Sequence, residues 1–197
     1  MTQKDVTVQI MLGGRSTRMG TDKALVKLGG KTLLERAVER WRNYGGGLQL
    51  SVGAEDRALL APEGISAVAD IYSGRGPMGG LHAGLLACGT EYLLLTAVDS
   101  PFVTCEMADR LVETAEHFDC DACVYALEGR PQPLFALYRK TCLAPAEELL
   151  EAGENKMGIL LGRVDTQYLV GVGEEFFRNL NTPQELAEAE NQLRSFL

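Results

Sequence analysis

Histidine and long apolar runs are scarce in this chain of 197 residues, and each shortage excludes a class of function. The two histidines, His82 and His117, have no acid or nucleophile at a telling spacing, so no hydrolytic triad is predicted. The longest mainly apolar run, 92–98, is too short to cross a bilayer. The first residues lack the apolar core of a secretion signal. These absences predict a cytoplasmic protein without membrane contact.

Cysteine is present in an odd number, five, which with no secretion signal predicts reduced thiols and no disulfide framework. Cys120 and Cys123 have CxxC spacing, but no second pair completes the four ligands of a structural zinc. The pair also lies in the stretch 119–127, which is predicted to be extended, whereas redox pairs lie at helix starts. A metal or redox role is therefore not favoured.

Basic residues are outnumbered overall, and the net charge is −8. Residues 1–50 nevertheless carry nine Lys/Arg against four Asp/Glu. An acidic body argues against nucleic-acid binding, which needs a basic face. The basic N-terminal segment could draw in a small anion, or it could be an uneven solvated surface.

Strand and helix patterns alternate through the first 118 residues, which is typical of right-handed crossovers and a mainly parallel sheet. Paired strands after residue 120 predict a mixed or antiparallel C-terminal part. The predicted strands are 6–10, 48–52, 67–69, 92–98, 122–127, 133–138 and 167–172. The pattern predicts one α/β domain over 1–197.

Helix boundaries are marked by two capping boxes, Thr32 with Glu35 and Thr182 with Glu185. A loop rich in glycine and proline, 71–80, is predicted to lead into a helix at 81–88. Residues 24–28 are predicted to be extended.

A glycine turn with basic residues follows the first strand. The glycines of this turn are Gly13 and Gly14, and its basic residues are Arg15, Arg18 and Lys23. Glycines let backbone N–H groups approach phosphate oxygens, and the cations could neutralise a triphosphate and its pyrophosphate product. No Walker spacing is present. The alternative is a tight turn with exposed basic residues.

Two aspartates close later strands. Asp99 ends the most apolar strand and is well placed for Mg²⁺, which prefers one or two carboxylates plus phosphate oxygens. Asp70 could accept hydrogen bonds from a base or ribose. We expect both at neighbouring strand ends, on the carboxyl edge where such sheets bind ligands. The alternative for each is a turn or capping aspartate.

A rival pattern lies in the same region, because Gly74, Gly76 and Gly79 match the GxGxxG outline of a dinucleotide site. The predicted strand ends near Asp70, which leaves a gap, and Pro77 stiffens a turn that should open a helix directly. A dehydrogenase is therefore not favoured.

Taken together, the motifs resemble those of the molybdenum cofactor guanylyltransferases, a family of nucleotidyltransferases. The resemblance rests on Met11-Leu12-Gly13-Gly14, Arg18-Met19-Gly20, Asp22-Lys23, Asp70, the 76–85 stretch, Asp99-Ser100-Pro101, 133–137 and Asn181-Thr182-Pro183. It implies a Rossmann-like three-layer fold and a Mg²⁺ requirement. It also implies transfer of GMP from GTP to the terminal phosphate of Mo-molybdopterin, with release of pyrophosphate.

Site roles follow from the resemblance, residue by residue. The nucleotide would contact Met11, Leu12, Gly13, Gly14, Lys23, Asp70 and Asp99. Asp99 would also bind Mg²⁺, and Arg18 and Lys23 would act with it in catalysis. The pterin substrate would face Gly76, Pro77, Gly79, Gly80 and Asn181. Leu12 and Gly79 stand where the family usually has Ala, and Ala54 where it has Asn.

The resemblance also divides the domain into a nucleotide-binding half, 1–118, and a pterin-substrate half, 119–197. Molybdoenzymes or their chaperones would receive the product. Two alternatives stay open: a sibling that uses CTP or another phosphorylated acceptor, and a non-catalytic pterin-binding carrier that keeps the fold.

Overall fold

A computed structural model describes residues 3–13, 22–180 and 182–195. Its strands are β1 (Val6–Met11), β2 (Lys27–Leu28), β3 (Lys31–Thr32), β4 (Gly47–Gly53), β5 (Ser66–Ala69), β6 (Tyr92–Ala97), β7 (Ala122–Leu127), β8 (Arg130–Arg139) and β9 (Thr166–Leu169). Its α-helices are α1 (Leu33–Trp41), α2 (Gly76–Ala87), α3 (Cys105–Phe118), α4 (Leu143–Glu151), α5 (Met157–Leu161) and α6 (Pro183–Ser195).

Seven of these strands form one sheet in the order β5-β4-β1-β6-β8-β7-β9, while β2 and β3 form a separate hairpin. Strands β5, β4, β1 and β6 run parallel. Strand β8 lies antiparallel between β6 and β7, and β9 runs parallel to β7. The predicted parallel sheet with a mixed C-terminal part is confirmed.

Helices cover both faces of the sheet. Helices α1, α3 and α6 share one buried apolar cluster with one face of the strands, and α2, α4 and α5 share a second cluster with the other face. All six residues of β6 are buried between these layers, as expected for a strand of continuous apolar character. The three-layer arrangement predicted from the family resemblance is confirmed.

Both predicted capping boxes are present. The Thr32 hydroxyl oxygen accepts a hydrogen bond from the Glu35 N–H at 3.1 Å, and the Glu35 carboxylate accepts one from the Thr32 N–H at 2.7 Å. Thr182 and Glu185 repeat the pattern at 3.2 and 2.8 Å. These bonds satisfy the first N–H groups of α1 and α6, which explains why both helix starts could be predicted from sequence.

The predicted start of α2 is wrong, because the helix begins at Gly76 inside the stretch predicted as a loop. Pro77 lies in its first turn, where a proline costs no hydrogen bond. Its glycines reflect close packing: a Cβ at Gly80 would lie 2.5 Å from Met11 Cε, and one at Gly84 would lie 2.1 Å from Gln9 Oε1. The argument from Pro77 against a dinucleotide site therefore falls, while the gap between β5 and α2 remains.

Cys120, two residues before β7, and Cys123, the second residue of that strand, are free and fully buried. Within the part of the chain that the structure describes, no three His, Cys, Asp or Glu side chains form a group able to hold a metal. No helix among the described residues is long and apolar enough to cross a membrane.

Candidate active site

The carboxyl ends of four parallel strands lie level with one another. Met11 pairs in register with Ala97 of β6 and Ser51 of β4, and Gly53 pairs with Ala69 of β5. Gly13, Asp70 and Asp99 come one or two residues after these strand ends. The structure therefore brings the three predicted positions to one edge of the sheet.

Asp70 and Asp99 are not at neighbouring strand ends, contrary to our prediction. Strands β4 and β1 lie between β5 and β6, so three steps of about 4.8 Å separate the two ends by roughly 14 Å. After β1 the chain builds β4 and β5 on one side and then returns to β6 on the other. Ligands of open α/β sheets bind at such a switch point, which here lies between Gly13 and Asp99.

A lysine and an aspartate meet at this switch point. Lys23 Nζ lies 2.6 Å from Asp99 Oδ2, and the two side chains are only 17% and 15% exposed. Lys23 opens a 3-10 helix, Lys23–Leu25, which Asp22 caps by accepting from the Ala24 N–H at 3.0 Å. The extended conformation predicted for 24–28 is wrong at its start, because this cap turns the chain before β2.

Gly13 and Leu12 shape the site through their backbones and not through side chains that face a ligand. Gly13 has φ +71°, and a Cβ there would have no heavy atom within 4 Å, so glycine is needed for conformation and not for space. The Leu12 side chain is fully buried, and its N–H donates to the Ser51 carbonyl at 3.0 Å. Leucine in place of alanine at position 12 therefore fills the core and does not present its side chain to a nucleotide base.

The first turn of α2 covers the ends of β1, β4 and β5. Gly79 and Gly80 are buried, and added Cβ atoms would lie 3.3 Å from Asp70 Oδ2 and 2.8 Å from Ser51 Oγ respectively. Gly76 and Pro77 are exposed at the helix start. The free N–H groups and positive dipole end of a helix favour anions, so this turn suits a phosphate-bearing ligand.

Asp70 is half-buried beside this turn. Its Oδ1 is buried without a hydrogen-bond partner among the described residues. Burial raises the pKa of the Asp70 carboxyl to about 6. A buried acceptor without a partner is costly, and a ligand that donates a hydrogen bond would remove that cost.

We expect Asp70→Asn to stabilise the protein while weakening nucleotide binding. A folded-state pKa of about 6, above the ordinary 3.8, makes the folded protein bind the proton more tightly, so stability falls as pH rises through that window. The variant should therefore have a higher Tm above pH 6, and the difference should vanish near pH 4. Thermal unfolding across pH and calorimetry with GTP measure both effects. Glu63→Gln, at an exposed turn, should change neither.

The C-terminal segment reaches the same edge. The Leu180 N–H donates to the Asp99 carbonyl at 3.0 Å, and Ser100 Oγ donates to Asn179 Oδ1 at 2.7 Å. Sequence reasoning missed Asn179, although its place beside Asn-Thr-Pro was a usable signal. The predicted site residues Gly14, Arg18 and Asn181 lie outside the described residues.

A cleft that sequence reasoning did not find lies beside this segment. It has a volume of about 580 Å³ and is lined by Leu127, Gln132, Glu174, Glu175, Phe177 and Arg178. Leu127 ends β7, which runs parallel to β6, so the cleft opens on the same edge of the sheet as Asp99. Its volume is in the range of small-molecule sites.

Comparison with known proteins finds relatives over most of the chain. Residues 8–166 match the model of the MobA-like NTP transferase domain. A probable molybdenum cofactor guanylyltransferase of Pelotomaculum thermopropionicum is 33% identical over 188 residues, which cover 91% of this chain and 89% of the relative. The molybdenum cofactor guanylyltransferase of Vibrio campbellii is 32% identical, with coverage of 91% and 92%.

Solved structures give the same picture. Molybdopterin-guanine dinucleotide biosynthesis protein A of Archaeoglobus fulgidus superposes with a TM-score of 0.85 at 27% identity, covering 96% of this chain and 99% of that one. The 2-C-methyl-D-erythritol 4-phosphate cytidylyltransferase of Thermus thermophilus gives 0.70 at 19% identity, with coverage of 94% and 98%. The second likeness shows a shared fold alone.

Proposed function

Because the chain belongs to the MobA-like NTP transferase family, we propose that it is a molybdenum cofactor guanylyltransferase. It transfers GMP from GTP to the terminal phosphate of Mo-molybdopterin and releases pyrophosphate. The substrates are those named or implied by relatives about a third identical over nearly their whole length.

The observation that carries this proposal is the Lys23–Asp99 pair at the switch point, on the edge of the sheet where Gly13 follows β1. A cation and an anion that are both mostly buried need partners. A nucleoside triphosphate with its metal supplies both, since phosphate oxygens pair with the ammonium and the cation pairs with the carboxylate. The geometry thus suits a ligand that carries both negative charge, on its phosphates, and positive charge, on its bound metal.

We propose that Mg²⁺ is the metal and that Asp99 holds it. The donor set fits this ion, since Mg²⁺ takes few protein carboxylates and completes its shell with phosphate oxygens and water. When bound, the ion supplies positive charge that offsets the charge of the phosphates.

The chemistry needs positioning more than proton transfer. The acceptor phosphate is already anionic at neutral pH, and one of its oxygens forms a bond to the α-phosphorus as the bond from that phosphorus to the bridging oxygen of pyrophosphate breaks. We propose that Lys23 and Arg18 neutralise the leaving group. The α2 N-terminus and the Gly13 backbone orient the phosphates, and Asp70 accepts from the nucleoside.

On the acceptor side, we propose that the 119–197 half binds the pterin. The 580 Å³ cleft lies there, and the segment that lines it leads through Asn179 to the Asp99 loop. Gly76 and Pro77, exposed at the start of α2, would face the pterin at the border between its phosphate and the nucleotide phosphates, and Asn181 is proposed for the same role. Delivery to molybdoenzymes or their chaperones in the cytoplasm is part of the same proposal.

Pyrophosphate release tests the proposal directly. We expect release with GTP, Mg²⁺ and molybdopterin together, at least about tenfold faster than with CTP, since one or two base-specific hydrogen bonds give discrimination of that order. Faster release with CTP would move the chain to the cytidylyltransferases. Molybdopterin binding without any pyrophosphate release would favour a non-catalytic carrier.

A further inference from the structure

The buried arginine Arg57 carries an inference that the reaction itself does not require. It lies in a 3-10 helix, Glu55–Leu60, directly after β4, and its side chain is only 9% exposed. Its sequence context, Glu-Asp-Arg, is typical of a solvated surface turn. Sequence reasoning therefore missed it, although an acidic Asp22 in a basic loop was a signal that a cation should lie nearby.

The Arg57 guanidinium donates five hydrogen bonds to described residues. Three go to the Asp22 carboxylate, at 3.1, 2.8 and 2.7 Å. One goes to the Gly13 carbonyl, and one to the Val52 carbonyl at 3.3 Å. All five N–H groups of an arginine can donate in this fixed fork geometry. One side chain thus joins β4 to Gly13, two residues after β1, and to Asp22, the residue that precedes Lys23.

We propose that Arg57 is a positioning residue for nucleotide transfer, which fixes Gly13 and Asp22, the two anchors on either side of residues 14–21. This inference rests on the proposed function and adds a residue to it. From Asp22 the connection continues through the cap on Ala24 to the 3-10 helix that begins with Lys23, and from Lys23 to Asp99. Arg57 therefore sets the place of the lysine at the switch point without touching the ligand.

Charge supports the same assignment. Asp22 lies next to Lys23 in the chain, and its negative charge would repel a triphosphate bound by that lysine. The fork of Arg57 neutralises that carboxylate and directs both of its oxygens away from solvent, since the side chain of Asp22 is 21% exposed. A lysine at position 57 would keep the charge, but its compact ammonium could not hold Asp22 and the Gly13 carbonyl in the same planar arrangement.

The first test is Arg57→Lys, with Arg163→Lys as the matched control at an exposed pair with Glu148. We expect Arg57→Lys to fold and melt above the assay temperature, yet to lose about 100-fold in kcat/KM for GTP, as displaced catalytic groups do. Its GTP affinity, measured by calorimetry without acceptor, should fall as well. The control should match the unaltered protein. Near-normal kcat/KM in folded Arg57→Lys would overturn the proposal.

A second variant covers the case in which Arg57→Lys does not fold. Asp22→Asn keeps the oxygen that caps the 3-10 helix and loses the carboxylate that receives the fork, so we expect a drop of about tenfold or more in kcat/KM. Unchanged kinetics in folded Asp22→Asn would contradict the proposal. The double change Arg57→Met with Asp22→Asn cancels both charges, and full activity in it would show that Arg57 acts by neutralisation alone, which also overturns positioning.

Failure of the proposed function gives a different result. If the unaltered protein binds GTP but forms no product, the guanylyltransferase assignment fails, while the Arg57 comparison can still be made from binding affinities. If it binds another nucleoside triphosphate better, the same variants are compared with that nucleotide.

Discussion

Replacing Asp99 by Asn should nearly abolish transfer, with a loss of about 10³-fold in kcat/KM, while leaving the fold intact. Asp99 is the carboxylate at the switch point, paired with Lys23 at 2.6 Å, and an amide of the same shape can neither balance that ammonium nor hold a divalent cation firmly. Losses of this order are typical when one group that stabilises developing charge is removed. Steady-state pyrophosphate release, titrated with Mg²⁺, measures the effect.

The Mg²⁺ titration separates a metal role from a structural one. If Asp99 holds the ion, Asp99→Asn should need far more Mg²⁺ for half-maximal rate, and Asp99→Glu should recover part of the affinity. Asp119→Asn is the matched control, because that aspartate is 84% exposed and lies before the start of β7, at the opposite edge of the sheet, where it pairs with Arg139 at the end of β8. Near-normal turnover of Asp99→Asn would remove Asp99 from the site.

Much of the site could be predicted because it depends on local sequence and one general rule. Apolar runs that end in Gly13, Asp70 and Asp99 gave the strand ends, and parallel strands place those ends on one edge. Capping boxes at Thr32 and Thr182 are local as well. None of these inferences needs the order of strands in the sheet.

The predictions that failed depend on long-range packing. The spacing of Asp70 from Asp99 follows from the return of the chain across β1, which no local pattern encodes. The start of α2 was missed because glycines that look like loop residues are required where the helix touches Met11 and Ser51. Tertiary contact overrides intrinsic propensity at such positions.

Arg57 shows the same limit for charged residues. Its role depends on contacts with Asp22 and Gly13, which are 35 and 44 positions away in the chain. A charged triplet such as Glu-Asp-Arg is usually solvated, so the sequence predicts an exposed arginine where the structure has a buried one. Only the fold reveals that this arginine is buried and that its fork is fully used.

Replacing Lys23 by Met should weaken both the use of GTP as substrate and the binding of the pyrophosphate product. Lys23 Nζ forms an ion pair with Asp99, and we propose that the ammonium turns to the phosphates when GTP binds. We expect kcat/KM for GTP to fall about 100-fold, because one charge that offsets the leaving group is lost. Inhibition by added pyrophosphate should weaken too, which initial rates at several pyrophosphate concentrations would measure. Lys31→Met, at a pair whose side chains are 53% and 57% exposed, is the control.

Combining Lys23→Met with Asp99→Asn decides whether the pair serves the fold or the ligand. If the two residues only stabilise each other, the double variant should regain Tm and activity together, because neither charge is then left buried alone. If both act on the nucleotide and its metal, the double variant should regain Tm but stay as inactive as the worse single variant, as groups that act as a unit do. We expect the second result, since a lysine and an aspartate held at 2.6 Å in a mostly buried crevice suit a ligand that brings an opposite charge to each of them. Recovery of transfer in the double variant would return the pair to a structural role and leave the chemistry at the switch point without its two charged groups.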